Sequence, residues 1–193
     1  MPGFGYPVGV TSSFAPGFLV ALDPLLDPNF RRTVVLMIHH DEEQGAFGLV
    51  INRGTDFSAT DLCDSLEINW RGEDDAKVDW GGPVQQDQGW IVFRESLDDV
   101  PEAEEVAPRL HWSGSRDALR RVAENPETVA RVFLGSSGWG PGQLEGEIAN
   151  GAWLVVPMAD GLVFETPKKD LWTATIRSLG IEPATLVTTQ GIN

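Results

Sequence analysis

The sequence predicts a single α+β domain built on a mixed, mostly antiparallel sheet. The chain has 193 residues, and one domain typically takes about 150. Short apolar segments occur in adjacent pairs as often as they alternate with amphipathic ones, which favours α+β over a regular doubly wound sheet. No repeat with a period of about 20–50 residues is present, so a solenoid is not supported.

Apolar segments rich in β-branched residues are the predicted strands. The clearest pair, residues 33–39 and 46–52, is connected by a polar turn at residues 41–45 and forms a predicted hairpin. The other predicted strands cover residues 18–22, 78–80, 89–93, 109–112, 128–134, 152–156 and 162–164.

About four helices are predicted from capping residues and apolar stripes. Ser58 precedes a helix at residues 60–68, and Ser115 precedes a helix of about ten residues. Two further helices are predicted at residues 141–150 and from Thr166-Pro167 to Leu179, with a Gly-rich turn at residues 135–142 before the first of them.

The two ends and one internal stretch are expected to be irregular. Residues 1–17 are rich in Gly, Pro and Ser and predict an N-terminal arm, residues 18–186 the domain, and residues 187–193 a tail. Residues 95–108 carry six acidic side chains and no basic one. Such a charge run predicts a solvated loop.

The composition narrows the classes of function. Lys and Arg total 14 against 29 Asp and Glu, for a formal charge of −15. Phosphate binding depends on a positive surface, so direct nucleic-acid binding is not expected. The single cysteine, Cys63, indicates a reducing compartment. Apolar runs reach about five residues where a membrane span needs about 20, and residues 1–16 lack a signal peptide. We therefore expect a cytoplasmic protein without a membrane partner.

The sequence contains no recognisable set of catalytic or metal-binding residues. His39 and His40 are neighbours on a strand and point to opposite faces, so they do not readily share a metal. Neither Ser136 nor Ser137 has Gly at both −2 and +2, so the G-x-S-x-G elbow pattern fails. Cys63 lies among apolar residues as a predicted core side chain. We expect no catalytic residues, no metal and no cofactor.

Two features of the sequence each have a structural and a functional interpretation. The Gly-rich segment at residues 135–143 leads into a helix N-terminus, which suits a small anion. The same segment suits a purely structural turn. Arg116 and Arg120 share a helix face, which is either a solvated surface or, less in keeping with the acidity, a recognition helix.

Four motifs in order resemble one family. They are Gly17-Phe18-Leu19-Val20-Ala21 with Leu26-Asp27-Pro28-Asn29-Phe30-Arg31-Arg32, Gly45-Ala46-Phe47-Gly48-Leu49-Val50-Ile51-Asn52-Arg53, Gly81-Gly82-Pro83-Val84 and Gly138-Trp139-Gly140-Pro141-Gly142-Gln143-Leu144-Glu145. This pattern is similar to the YqgE/AlgH family over about residues 17–186. The departures include Gly54, where the family usually has Pro, and Ser136-Ser137, where it often has Tyr-Ala.

The resemblance implies a sheet curled into a barrel-like core with helices outside, and a role in transcriptional regulation without known catalytic residues. Because the chain is acidic, we expect such regulation to act through protein partners. The alternatives are a domain that binds a small anion or nucleotide and, third, an unrecognised hydrolase or transferase. The predicted ligand-binding residues are Asp27, Arg31, Asn52, Arg53, Gly81, Gly82, Pro83, Trp139, Gly140, Gly142 and Gln143.

Overall fold

The computed structural model describes residues 13–22, 27–94, 100 and 102–187. The strands are β1 Gly17–Ala21, β2 Val34–Asp41, β3 Gly45–Val50, β4 Gly54–Ser58, β5 Lys77–Trp80, β6 Val84–Arg94, β7 Glu104–Ala107, β8 Leu110–Ser113, β9 Ala130–Trp139 and β10 Trp153–Pro157. The helices are α1 Ala59–Ser65, α2 Arg116–Ala123, α3 Gln143–Ala149, α4 Asp160–Phe164, α5 Lys168–Arg177 and α6 Pro183–Val187. Among these residues no helix is long and apolar enough to cross a membrane.

The strands form one curled sheet in the order β10-β1-β2-β3-β9-β6-β8-β7, with β5 joined to β9 and β4 joined to β5. Every pairing is antiparallel except β5 with β9. The result is a single α+β domain with a half-barrel sheet, which confirms the predicted fold class. The described residues contain six helices where about four are predicted, because the short helices α4 and α6 carry little sequence signal.

The central strands are buried on both faces, as their almost continuous hydrophobicity indicates. In β1, Phe18 and Val20 pack into one core, and Leu19 and Ala21 pack into another on the opposite face. The first core lies under α4 and α5. The second core lies against α3, and a third, formed with α2, covers β6 and β9. The predicted hairpin is confirmed as β2 and β3.

The predicted N-caps Ser58 and Ser115 are confirmed, since each hydroxyl accepts backbone N–H groups of its own helix. Three other predictions need correction. Residues 135–139 continue strand β9, residues 162–164 belong to helix α4, and residues 104–107 of the predicted acidic loop form edge strand β7. Residues 1–12, 95–99 and 188–193, which hold parts of the predicted arm, acidic loop and tail, lie outside the described residues.

A wide bulge in β6 explains why a Gly-rich segment can continue a strand. Val84 lies opposite Ser136 and Gly89 lies opposite Leu134, so four residues of β6 face only Gly135 of β9. Gly135 has φ +74°, and a Cβ there would lie 2.3 Å from the carbonyl oxygen of Gly82. Only glycine accepts both the left-handed backbone and this approach.

A buried ion pair joins the middle of the sheet to its surroundings. Arg131 of β9 donates from Nε and Nη2 to Asp79 Oδ2 of β5, at 2.8 and 2.6 Å. The same guanidinium donates to the carbonyl oxygens of Ile51 and Val163, at 2.7 and 2.9 Å. Lys168 forms an ion pair with the second oxygen of Asp79. The Asp79 side chain is 3% exposed and that of Arg131 is 13% exposed. Because little water reaches either charge, each is stabilised mainly by the other.

Replacing Arg131 by Met should lower the free energy of unfolding by about 3–5 kcal/mol, because it leaves the Asp79 carboxylate buried beside a weaker partner. The measurement is urea unfolding at neutral pH. Arg120→Met is the control, since Arg120 pairs with Asp117 on the exposed face of α2 and should change stability by at most about 1 kcal/mol. Equal losses of unfolding free energy in the two variants would show that the buried pair contributes no more to stability than the exposed pair.

Candidate functional site

An open groove lies where the loop before β2, the start of β4 and the turn before β6 meet. Its volume is about 480 Å³. It is lined by Pro28, Asn29, Arg53, Gly54, Thr55, Trp80, Pro83 and Gln86. We call it the arginine groove. Two of the predicted ligand-binding residues, Arg53 and Pro83, are among its walls.

Two side chains that follow β3 hold the loop beside the groove in place. Asn52 Oδ1 accepts the N–H of Val34 at 2.9 Å, and its Nδ2 donates to the carbonyl oxygen of Arg32 at 2.8 Å. Arg53 Nη2 donates to the carbonyl oxygen of Arg31 at 2.8 Å. Asp27 caps the turn at Pro28–Phe30 by accepting the N–H of Asn29. The loop is therefore fixed from both of its ends.

The Gly-Gly-Pro segment brings the end of β5 against the centre of the sheet. The N–H of Gly81 donates to Leu134, and its carbonyl oxygen accepts the N–H of Val50 and the hydroxyl of Ser137. A Cβ on Gly81 would lie 2.2 Å from the carbonyl oxygen of Gly135. Gly81 and Gly82 are buried. Gly81 and Gly82 therefore contribute buried backbone next to the arginine groove, and Pro83 is the residue of this segment that lines the groove.

Arg53 gives the groove a positive charge that forms no ion pair among the described residues. Within the described residues, neither Arg53 nor Arg31 forms an ion pair. Arg31 is exposed beside the groove. In a chain with a charge of −15, two such guanidinium groups with unused N–H donors form a local positive region that suits carboxylate or phosphate.

The remaining predicted residues form a second group around one carboxylate. Glu147 Oε2 accepts the indole N–H groups of Trp139 and Trp153, at 2.9 and 2.7 Å. Glu147 Oε1 accepts Gln143 Nε2, and Gln143 Oε1 accepts the N–H of Gly140. We call these five residues the Glu147 cluster. Trp139 is 7% exposed, and its indole N–H is already bonded to the partly buried Glu147 carboxylate.

The structure thus places the eleven predicted residues in two neighbouring groups. Phe30 connects the groups, because it belongs to the turn that Asp27 caps and its ring contacts Trp139 and Trp153 of the second group. Gly142 lies at the start of α3 with φ +71° and permits the turn into that helix. That these residues bind a ligand stays a prediction, and the arginine groove is the part with open space for one.

One histidine is held in a defined hydrogen-bonded state. The His40 side chain is 2% exposed. Its Nδ1 accepts the N–H of Phe14 at 3.1 Å, which assigns the proton of the neutral ring to Nε2, 2.7 Å from Glu145 Oε1. A backbone hydrogen bond at Glu145 and then the bond from His40 lower the pKa of this carboxyl. Burial raises the pKa of the Cys63 thiol, with Asp64 adding to the shift, which keeps the thiol protonated.

Sequence reasoning missed the charged residues at the base of a larger cleft. Arg131 lies in the predicted strand at residues 128–134, but no role is predicted for its charge; its side chain is largely buried with Asp79 and Lys168 along a cleft of about 650 Å³. The available signal was a lone charge inside each apolar strand, at Asp79 in V-D-W and Arg131 in A-R-V-F. Across the described ranges, no group of three or more His, Cys, Asp or Glu side chains is placed to hold a metal ion.

Replacing Glu145 by Gln should make the free energy of unfolding less dependent on pH between about pH 7 and pH 3. Because the pKa of Glu145 is lowered in the folded state, its ionised form adds stability above its ordinary value of about 4.3, and this is lost as the pH falls through the folded value. Urea midpoints should differ most near pH 7 and converge towards pH 3. Glu127→Gln, at an exposed position, should show no such trend. A constant difference at all pH values would contradict the assigned role.

Comparisons with known proteins agree with these motifs. A family model described as AlgH-like matches residues 18–184. A UPF0301 protein of Myxococcus xanthus is 40% identical over 185 residues, covering 94% of this chain and 99% of that protein. The solution structure of the AlgH protein from Pseudomonas aeruginosa is 30% identical with a TM-score of 0.74, covering 97% of this chain and 100% of that one. A crystal structure of a Corynebacterium diphtheriae protein is 26% identical with a TM-score of 0.69, covering 89% of each chain. The chain therefore belongs to the AlgH-like family, the YqgE/AlgH family that its motifs resemble.

Proposed function

We propose that the chain is a cytoplasmic regulatory protein that recognises an anionic group in the arginine groove and affects transcription through a protein partner. The observation that carries this proposal is the pairing of open space with uncompensated charge. Arg53 lines the groove, Arg31 lies beside it, and neither has a carboxylate partner within the described residues.

The net charge of the chain favours a protein partner over DNA. A formal charge of −15 repels a polyphosphate backbone, whose binding needs several basic contacts. A single acidic or phosphorylated side chain needs only one guanidinium and carries far less charge of its own. The local positive region at Arg31 and Arg53 can therefore accept such a group although the remaining surface is acidic.

A second candidate function uses the same groove for a free small anion. Trp80 lines the groove beside Arg53, and an aromatic ring with a guanidinium suits a nucleotide, whose base stacks and whose phosphate pairs. Binding of inorganic phosphate or a nucleoside monophosphate alone would raise the unfolding midpoint with concentration. Such a response with no effect on transcription would favour this second candidate.

Replacing both arginines by glutamine should abolish the regulatory effect without unfolding the protein. A strain that lacks the gene is complemented with the wild type or with the Arg31→Gln, Arg53→Gln variant, and transcript levels are compared. The wild type should restore the deletion strain's altered levels, and the variant should not, because it lacks the positive charge. Arg120→Gln with Arg177→Gln removes equal charge from exposed ion pairs and should behave as the wild type.

Binding to DNA is measured in parallel by fluorescence anisotropy at about 0.15 M salt. The proposal expects no sequence preference and no affinity tighter than about 1 μM. Sequence-specific binding tighter than that would overturn the indirect mechanism. Full restoration of transcript levels by the double variant would overturn the role of the groove.

A further inference from the structure

A separate cavity lies on the face of the sheet that α1 and α2 cover. Its volume is about 220 Å³. Leu62 of α1, Leu66 just after that helix, Leu119 of α2 and Leu134 of β9 line it, with Ile91 of β6 at its base. The four leucines are each only partly buried although they are apolar. We call this space the leucine cavity.

The rim of the leucine cavity carries two opposite charges. Arg116, the first residue of α2, and Asp87, in the β6 bulge, both line the cavity and both are exposed. Arg116 donates to the carbonyl oxygen of Leu66 at the end of α1. In the part of the chain that the structure describes, Asp87 has no ion pair, and Arg116 pairs with no carboxylate.

The chain's own geometry positions both charges at this rim. Asp87 belongs to the four residues of β6 that face only Gly135, so it leaves the regular ladder with β9. A bulge of this kind re-aims side chains. Arg116 is fixed across the end of α1 by its bond to Leu66, which leaves its other N–H groups for a further acceptor.

We propose that the leucine cavity binds a free α-amino acid with an apolar side chain. The side chain would fill the space between the leucines, the α-carboxylate would pair with Arg116, and the α-ammonium would pair with Asp87. The volume suits this size of ligand, because an apolar cavity of about 150 Å³ accepts benzene. A simple fatty acid would leave its carboxylate facing Asp87 without the ammonium that offsets the repulsion.

The leucine cavity shares no lining residue with the arginine groove; where they come nearest in sequence, Gln86 lines the groove and Asp87 lines the cavity. A failed test of the amino-acid site therefore leaves the proposed regulatory function untouched. The converse also holds, because the Arg31 and Arg53 substitutions remove no group from the leucine cavity.

The test compares L-leucine with its two half-charged analogues by isothermal titration calorimetry on the full chain. L-leucine should bind. The carboxylate 4-methylpentanoate and the amine 3-methylbutylamine should each bind about tenfold more weakly or worse, because each lacks one charge contact, and tenfold corresponds to about 1.4 kcal/mol. Glycine should not bind, because it has no side chain to fill the cavity.

Two exposed substitutions then assign the charges without disturbing the core. Arg116→Gln should weaken leucine about tenfold and leave 3-methylbutylamine unchanged. Asp87→Asn should weaken leucine similarly and improve 4-methylpentanoate. The matched controls are Arg120→Gln and Asp117→Asn, neighbours on α2 whose charges face each other, and both should bind leucine as the wild type does. Absence of leucine binding, equal binding of 4-methylpentanoate, or indifference to Arg116→Gln and Asp87→Asn would each overturn the proposal.

Discussion

The bond between Arg131 and Asp79 is the interaction on which the remaining architecture depends. It links neighbouring strands β9 and β5, and the same guanidinium holds the carbonyl oxygens of Ile51 and Val163. A buried ion pair often adds little net stability over well-packed apolar side chains. Its importance here is positional. Ile51 directly precedes Asn52 and Arg53, so the arginine that fixes the end of β3 also fixes the residues that form the groove.

Gly54, the first residue of β4, shows how close the same ion pair lies to the arginine groove. A Cβ on Gly54 would lie 3.4 Å from Lys168 Nζ and 3.9 Å from Asp79 Oδ1. These are ordinary van der Waals distances, so the first residue of β4 lies directly beside the lysine and the buried carboxylate. Gly54 also lines the arginine groove. The groove on one face of β5 and the ion pair on the other share this short piece of backbone.

Sequence reasoning succeeded where the determining interactions are local. The β2–β3 hairpin follows from two apolar runs, and Ser58 and Ser115 cap helices through bonds to residues two or three positions away. It failed where distant partners decide. Residues 135–138 read as a turn in G-S-S-G, but Gly82 and the β6 bulge keep them in β9. A lone charge inside an apolar strand marks Arg131 and Asp79 as unusual, but the two are 52 positions apart, so the sequence pattern does not show that they pair.

The bulge in β6 connects the two candidate sites more closely than their separate linings suggest. Four residues leave the ladder opposite Gly135, and Gln86 lines the arginine groove while Asp87 lines the leucine cavity. One irregular stretch therefore supplies a polar side chain to each of the two openings. The bulge, which lies opposite Gly135, is thus the one stretch of β6 that contributes to both openings.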